Sequence, residues 1–323
     1  ELGLNVSGKT QTSLKKRRLE SSSRGSKMKI SSKRQRRFDD SMAGFLFILP
    51  ALAFLGVLIV YPLFNSFYIS LFKTNLINIW VYCGFENYAS HFLDIETWQS
   101  LRVTLIYTAA VVAGALILGM ISALVLNAKI RGQVIYRTIV MWPWILSSVA
   151  AVVMWKWMYS TQYGVINDIL YRLNLIENPV SWLGQMDTAL PALIVMSIWK
   201  AFPFVAISLL AGLQSIPIEL YEAAEVDGAT GWHKWRYITI PSISDIIRIL
   251  AILETVWYFR EFGLVNMLTG GGPIRSTETI NIRAYRFAFE FFEFGKASSL
   301  GIIIFLICLV LMLIYIKGIP SRN

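Results

Sequence analysis

The sequence predicts an all-α integral membrane protein with six transmembrane helices, and two observations lead to this fold class. Hydrophobic residues make up 55% of the 323 residues and charged residues only 15%, with a mean hydropathy of +0.55, which is more apolar than a soluble domain. The apolar residues are also grouped into segments of about 20 residues, the length that a helix needs to cross a bilayer. The predicted spans are 44–71, 101–126, 136–157, 189–213, 242–267 and 298–316.

The chain begins with a polar segment, 1–40, that we expect to be a disordered cytoplasmic tail. It contains almost no large apolar residues and therefore cannot bury a core. Twelve of the 30 Lys and Arg residues lie in its first 37 positions, so the basic excess belongs to one tail and does not predict a nucleic-acid-binding surface. The apolar run that follows is too long for a signal peptide, and we interpret 41–96 as a retained first span and an outer loop.

Two of the predicted spans contain a proline among aromatic or charged residues. The third span contains Trp142-Pro143-Trp144, and the fourth has a proline between Lys200 and Phe204. Proline removes a backbone hydrogen bond, and irregular backbone at membrane depth is tolerated where it lines a cavity. We therefore predict that Trp142, Trp144, Lys200 and Phe204 face a substrate pathway. A kink with a purely structural role is the alternative.

Ionisable residues also lie within the spans or at their ends. Such a group costs at least about 2.5–3.5 kcal/mol to insert, so it should face a cavity, a partner charge or the membrane interface. Glu254 is six residues from both Arg248 and Arg260, a poor spacing for a pair on one helix face. Lys200 and Arg260 are therefore the better candidates for a polar pathway, with structural pairing or snorkelling as the alternative.

A polar segment, 215–241, lies between the fourth and fifth spans and predicts a helix, a glycine turn and a second helix. Ser215 can cap the first helix. Gly228 can end that helix, because glycine adopts a left-handed conformation at little cost. Thr230 can cap the second helix, which we expect to end before Pro241.

The first helix of this segment has the composition of a docking surface. Ala223 and Ala224 leave a shallow surface that a partner can approach closely. Acceptors around it are supplied by Glu222, Glu225 and Asp227. The alternative is an interfacial hairpin that joins two spans and binds nothing.

The spacing within the segment carries more information than its composition. Glu222-Ala223-Ala224 is followed after three residues by Gly228, and after nine more by Ile-Thr-Ile-Pro at 238–241. This pattern resembles the EAA loop of permease subunits in binding-protein-dependent ABC importers. The family usually has leucine where this chain has Ile240. The resemblance implies the type I ABC importer permease fold over 97–316, with a coupling helix seated in a cleft of a cytoplasmic ATPase.

The same resemblance implies site residues and partners. It assigns ATPase coupling to Glu222, Ala223, Ala224, Asp227 and Gly228. It implies a second permease chain in a heterodimer, two copies of a cytoplasmic ABC ATPase and a periplasmic solute-binding protein. The sequence contains no GxxxxGK[ST] phosphate-binding loop, so we expect that this chain is not an enzyme, that it binds no cofactor, and that ATP and Mg are held by the ATPase subunits.

A second resemblance points to the substrate. The turn Leu-Thr-Gly-Gly-Gly-Pro at 268–273, the aromatic residues Tyr285, Phe287 and Phe289, and Gly-Lys-Ala-Ser at 295–298 together resemble sugar permeases of the maltose and glycerol-phosphate type. This implies a carbohydrate substrate. Overall likeness to the permeases of alginate-oligosaccharide importers implies an acidic sugar such as alginate as one candidate.

Loop charges predict the orientation. The tail 1–40, the loop with Lys129 and Arg131, and the end 317–323 are basic, so the positive-inside rule places both termini in the cytoplasm of a bacterial inner membrane. The outer loop between the fifth and sixth spans disagrees with this rule, because it contains four basic residues. They are Arg275, Arg283, Arg286 and Lys296.

Two other functional classes remain open from the residues alone. One is an ATP-independent channel or secondary transporter, although we find no internal repeat of the kind that secondary transporters often show. The other is a membrane-embedded enzyme, although no span carries paired carboxylates or a Ser/His constellation. His91 and His233 stand alone without metal-binding spacing, and we expect both to be solvated surface residues.

Overall fold

The computed structural model describes residues 45, 47–128 and 132–318, with backbone only at 316–318. The predicted tail 1–40, the basic loop at 129–131 and the end 319–323 lie outside the described residues. The chain divides into two units, 1–65 and 66–323. In the first unit the described residues from 47 onward are helical and mostly exposed. They form most of α1, Phe47–Ser70, which includes a π-helical turn at Gly56–Val60.

The second unit is built from helices and one β-hairpin. The hairpin consists of β1, Phe72–Thr74, and β2, Trp80–Tyr82. The helices are α2, Glu86–Leu93; α3, Ile95–Asn127; α4, Gln133–Ile145; α5, Ser148–Met158; α6, Val165–Arg172; α7, Met186–Gln214; α8, Ile218–Val226; α9, Gly231–Lys234; α10, Ile240–Phe259; α11, Gly263–Leu268; α12, Ile280–Phe289; and α13, Phe294–Gly318.

The β-hairpin is a departure from the all-α prediction. Its strands are antiparallel, with Phe72 opposite Tyr82, and the Phe72 ring makes edge contacts with Trp80 and Tyr82 at centroid distances of 5.7 and 5.5 Å. The Asn75 side-chain oxygen accepts hydrogen bonds from the backbone N–H groups of the following turn at 3.0–3.1 Å. Cross-strand aromatic pairs and an asparagine turn are sufficient local causes for this hairpin.

Four helices among the described residues are long and apolar enough to cross a membrane, or five if a bent pair counts as one span. The bent pair is α4 and α5, which correspond to the predicted third span and meet at 96°. The predicted fifth span corresponds to α10 and α11. It does not meet the same criterion, because α10 carries Asp245, Arg248 and Glu254. The count of six spans therefore stays a prediction. The long apolar helices are Phe47–Ser70, Ile95–Asn127, Met186–Gln214 and Phe294–Tyr315.

The core of the second unit is the contact between α3 and α7. A Cβ atom on Gly114 would lie 2.3 Å from the Ile198 side chain, and one on Gly119 would lie 2.6 Å from Val205. Residue numbers rise together along both helices at these contacts, so α3 and α7 run parallel. Small residues on the contact face let the two backbones approach closely.

Replacing Gly119 with alanine is expected to destabilise this packing by about 1–3 kcal/mol, because the new methyl group would overlap the β-branched Val205 side chain and the Ala206 backbone nitrogen. Thermal unfolding of the purified protein in detergent measures the effect. Gly301→Ala is the matched control in another long helix, since nothing lies within 4 Å of its new Cβ. Equal stability of the two variants would show that the α3–α7 contact is looser than described.

Candidate functional site

The segment between α7 and α10 forms the predicted helix, glycine turn and helix. Gly228 follows α8 with a φ of +76°, and the Ala229 N–H donates to the Ala224 carbonyl at 2.8 Å. This is the left-handed helix ending that favours glycine. Thr230 precedes α9 with extended backbone and no capping hydrogen bond from its side chain to the backbone.

Thr230 therefore takes the cap position without capping the helix through its side chain, and two further details of this prediction are wrong. Ser215 does not cap α8, because it belongs to the end of α7, where its hydroxyl donates to the Gly212 carbonyl at 2.8 Å. Pro217 takes the capping position instead. The second helix also does not end before Pro241. A π-helical turn, Trp235–Thr239, joins α9 directly to α10, and the wider turn accommodates the proline ring within the helix.

The predicted coupling residues are brought together on one exposed surface, which we call the hairpin surface. Glu222, Ala223, Asp227 and Gly228 are exposed and Ala224 is half-buried. No residue of α8 is buried, and Val226 is 89% exposed. The surface of α8 is therefore open along the whole helix.

Side-chain contacts hold the hairpin surface in place. The Tyr221 and Thr239 hydroxyls are hydrogen-bonded at 2.9 Å, and the Lys234 ammonium donates to Glu225 at 2.6 Å. Both contacts tie α8 to the helix that continues into α10. Movement of α8 would therefore be transmitted to α10.

A cavity of about 360 Å³, which we call the membrane cavity, lies between helices that belong to the predicted spans. The Trp144 and Phe204 rings stack across one wall with centroids 5.9 Å apart and planes inclined by 19°. The Lys200 ammonium donates to the Leu146 carbonyl at 2.7 Å, at the break between α4 and α5. The remaining lining residues include four from α10 and the segment after it, Glu254, Trp257, Tyr258 and Glu261.

The cavity unites three of the five predicted pathway residues. Trp144, Lys200 and Phe204 line it, whereas Trp142 and Arg260 do not. Trp142 is 66% exposed on α4, and Arg260 is exposed at the end of α10.

Sequence reasoning did not assign the α10 residues to this site. Within α10, positions 254, 257 and 258 follow the three- and four-residue spacing of one helix face, so the signal was present in the sequence, and Glu261 follows just after the helix ends. Glu254 is only 3% exposed, and its carboxyl group has no hydrogen-bond partner among the described residues. Its contact is therefore with the cavity.

Three of the four basic residues that disagreed with the positive-inside rule, Arg275, Arg283 and Arg286, belong to an ion-pair cluster at the start of α3. The fourth, Lys296, pairs with Glu293. Arg283 is 6% exposed and donates to Glu96 and Glu278, both at 3.1 Å, and also to Asp94. Glu278 is 1% exposed and also accepts from Arg286. The arginines are thus neutralised by acids, which removes the excess of positive charge from this loop.

The ion-pair cluster changes the pKa of the Asp94 carboxyl group. Its burial opposes ionisation, but hydrogen bonds from Thr97 and Arg283 and the charge of Arg283 lower its pKa below the usual value. Asp94 also caps α3 by accepting from the Glu96 N–H at 3.1 Å. The cluster therefore fixes the first turn of α3 against α12.

His91 is not the solvated residue that the sequence predicts, whereas His233 is exposed as expected. His91 is 3% exposed, and its Nε2 lies 3.0 Å from the Lys296 carbonyl and 2.9 Å from the Ser299 hydroxyl. Because a carbonyl only accepts, Nε2 carries a hydrogen. Burial lowers the pKa of the imidazole, so His91 joins α2 to α13 as a neutral structural residue.

Fold and site together define a polytopic helical membrane protein with a polar cavity between its helices. The model of the family named binding-protein-dependent transport system inner membrane component matches residues 115–316. The chain belongs to this family, and it is therefore a permease subunit of an ABC transporter and not an enzyme.

Individual proteins that are similar to this chain are also transport-system permeases. The chain is 34% identical to the trehalose/maltose transport system permease protein MalF of Thermococcus litoralis over 87% of this chain and 95% of the relative. It is 32% identical to the sulfoquinovosyl glycerol transport system permease protein SmoG of Agrobacterium fabrum, over 88% and 92%. A crystal structure of a bacterial ABC transporter involved in the import of the acidic polysaccharide alginate has a similar fold, with a TM-score of 0.75 at 23% identity over 88% and 96% of the two chains.

Proposed function

We propose that this chain is a transmembrane permease subunit of an ATP-driven, binding-protein-dependent sugar importer. The observation that carries the proposal is the membrane cavity, in which aromatic rings stack beside a few polar groups. Such a lining suits a sugar, because aromatic faces contact the apolar faces of the rings and polar groups bond the hydroxyls. The two relatives named above transport sugars or a sugar derivative according to their names.

The hairpin surface would receive the ATPase. Glu222, Ala223, Ala224, Asp227 and Gly228 form an exposed ridge with apolar neighbours, and we assign ATPase coupling to them. Two copies of a cytoplasmic ABC ATPase would supply the energy. ATP and Mg belong to those subunits, and we assign no cofactor to this chain.

The arrangement of helices supports a mechanical link between the two sites. The segment Gly231–Phe259 is an uninterrupted run of α9, the π turn and α10, and its far half carries Glu254 and Tyr258 into the cavity. At 1.5 Å per residue this helical run places Glu254 roughly 35 Å from Gly231, where α9 begins. On the other side of the hairpin, α7 carries Lys200 and Phe204. The two helices that flank the segment 215–241, α7 and α10, therefore both line the membrane cavity. Tilting that segment would change the shape of the cavity.

This function requires a defined orientation. We propose six spans, with α4 and α5 as one broken span and α10 as a polar fifth span, in a bacterial inner membrane with both termini cytoplasmic. The hairpin surface then faces the cytoplasm. The orientation rests on the basic segments 1–40, 129–131 and 317–323, which the positive-inside rule places in the cytoplasm. The loop arginines that oppose it are each paired with an acid.

The remaining partners are a second permease chain, which would form a heterodimer with this one, and a periplasmic solute-binding protein that delivers the sugar. The alginate importer of similar fold has been crystallised with an alginate pentasaccharide-bound periplasmic protein. An acidic sugar such as alginate is therefore one candidate substrate for this chain, beside the neutral trehalose and maltose and the sulfonated sulfoquinovosyl glycerol named for its relatives.

Co-expression of this chain with its partner permease and ATPase should yield a complex whose ATP hydrolysis rises when the binding protein and its sugar are added. Lys200→Met should weaken that stimulation, because the α4–α5 break would lose the hydrogen bond between Lys200 and Leu146. The measurement is ATPase activity in proteoliposomes. Sugar movement without any dependence on an ATPase would instead favour a channel or secondary transporter.

A further inference from the structure

A second and larger cavity lies where β1, α2 and the start of α13 meet. We call it the hairpin-end cavity because the β-hairpin, and not the hairpin surface of α8, forms one of its sides. Its volume is about 600 Å³, and it shares no lining residue with the membrane cavity. Gly295 makes its floor close-packed, because a Cβ there would lie 1.9 Å from the Phe72 carbonyl oxygen. A volume of this size is within the range of small-molecule sites.

Phe292 gives this cavity an unusual wall. It follows α12 with a φ of +56°, at a helix ending where the Glu293 N–H donates to the Phe287 carbonyl at 2.7 Å. Such endings favour glycine, and a bulky residue at positive φ is a strained outlier. The ring is 58% exposed and lines the cavity beside Phe291. Glycine at position 292 would relieve the backbone strain. Phenylalanine keeps that strain but gives the cavity an aromatic face.

The polar groups of the cavity carry no net charge. Lys73 pairs with Glu86, and Lys296 pairs with Glu293 at 2.9 Å. Asn87 is 2% exposed, and its amide nitrogen donates to the Ser70 and Phe72 carbonyls at 2.8 and 3.0 Å. The amide oxygen of Asn87 is left as an acceptor without a partner among the described residues. Donors, acceptors and two aromatic faces without net charge fit a ligand that is rich in hydroxyl groups.

We propose that the hairpin-end cavity binds a sugar unit of an oligosaccharide, with Phe292 stacking on the sugar ring and Asn87 accepting from a hydroxyl. The cavity lies at the end of the second unit where α3 and α13 begin, opposite the hairpin surface. This proposal rests on the proposed function, which places that end on the side from which the sugar arrives. The cavity is then a holding site outside the membrane pathway.

The test is saturation-transfer difference NMR on the purified importer complex without its binding protein. The probes are trehalose, maltotriose and a mannuronate trisaccharide. Phe292→Gly removes the ring and also relieves the strained backbone, so we expect the sugar affinity to fall about ten-fold while the melting temperature rises by about 2 °C. Asn174→Gly is the matched control, because Asn174 is exposed and has the same φ of +56° but lies outside the cavity.

A Phe204→Ala variant separates the two cavities, since Phe204 lines only the membrane cavity. A sugar signal that survives Phe204→Ala and is lost in Phe292→Gly supports the proposal. It is overturned if none of the three probes gives a signal that depends on Phe292, or if Asn174→Gly has the same effect. The proposed function is tested separately, by measuring whether sugar and binding protein stimulate ATP hydrolysis. The importer function and the sugar site in the hairpin-end cavity can therefore be disproved independently.

Discussion

Replacing Gly228 with valine is expected to lower sugar-stimulated ATP hydrolysis by the assembled importer about ten-fold, while leaving membrane insertion intact. Gly228 has a φ of +76°, where a residue with a Cβ is strained by roughly 1–2 kcal/mol and a β-branched residue by at least as much. The backbone can relieve this strain by changing the turn that orients α8. The proposed ATPase contact would then move, and each 1.4 kcal/mol lost from a coupled equilibrium is a factor of ten.

Gly231→Val is the matched control for this experiment. Both glycines are exposed, and neither has any atom within 4 Å of an added Cβ. Only Gly228 has a positive φ. ATPase activity should be compared at equal amounts of complex in proteoliposomes. Normal coupling in Gly228→Val, or equal loss in both variants, would contradict the role assigned to the turn.

Local signals in the sequence were sufficient for the hairpin surface. A glycine that ends a helix acts over a few residues, so the turn at Gly228 could be predicted without knowledge of the fold. The errors at Ser215 and Pro241 are also local. Ser215 was available to two helices and joined the earlier one, and a π turn allowed Pro241 to remain within a helix.

Contacts between distant parts of the chain could not be predicted in this way. Arg283 and Asp94 are separated by 189 positions, and His91 and Ser299 by 208, so no spacing rule connects them. The same limit applies to the pair between Arg275 and Glu96, which only the packing of α3 reveals. Arg286 differs, because its partners Glu278 and Glu290 are close to it in sequence.

The membrane cavity could be predicted from the sequence only in part. Lys200 was selected because a cation within a span needs a partner, and the structure supplies the Leu146 carbonyl at the break in the third predicted span. Glu254 was noticed as an unpaired acid, but it was not assigned to the pathway because pairing was sought within its own helix. The helix face with Glu254, Trp257 and Tyr258 would have been found by asking which α10 residues share a face with an unpaired acid.

Glu278→Gln is expected to destabilise the second unit by about 3–5 kcal/mol, the usual effect of removing one partner from a buried ion pair. Glu278 is 1% exposed. It accepts from the Arg283 guanidinium at 3.1 Å and the Ser100 hydroxyl at 3.2 Å, and it is also paired with Arg286. An amide keeps the shape but not the charge, so the cluster would keep three arginines but only the carboxylates of Asp94 and Glu96, which leaves one positive charge uncompensated. Thermal unfolding in detergent should show a melting temperature lower by roughly 6–12 °C.

Asp168→Asn is the control, because it makes the same chemical change in an exposed pair. Asp168 accepts from Arg172 at 3.0 Å, and the two side chains are 54% and 76% exposed, so its loss should change stability by less than about 1 kcal/mol. The two variants therefore differ mainly in burial. If Glu278→Gln melted at the same temperature as Asp168→Asn, the cluster would contribute no more than a surface ion pair. The anchoring of α3 to α12 would then have to come from the apolar contacts of Ile280 and Phe287, which are buried beside it.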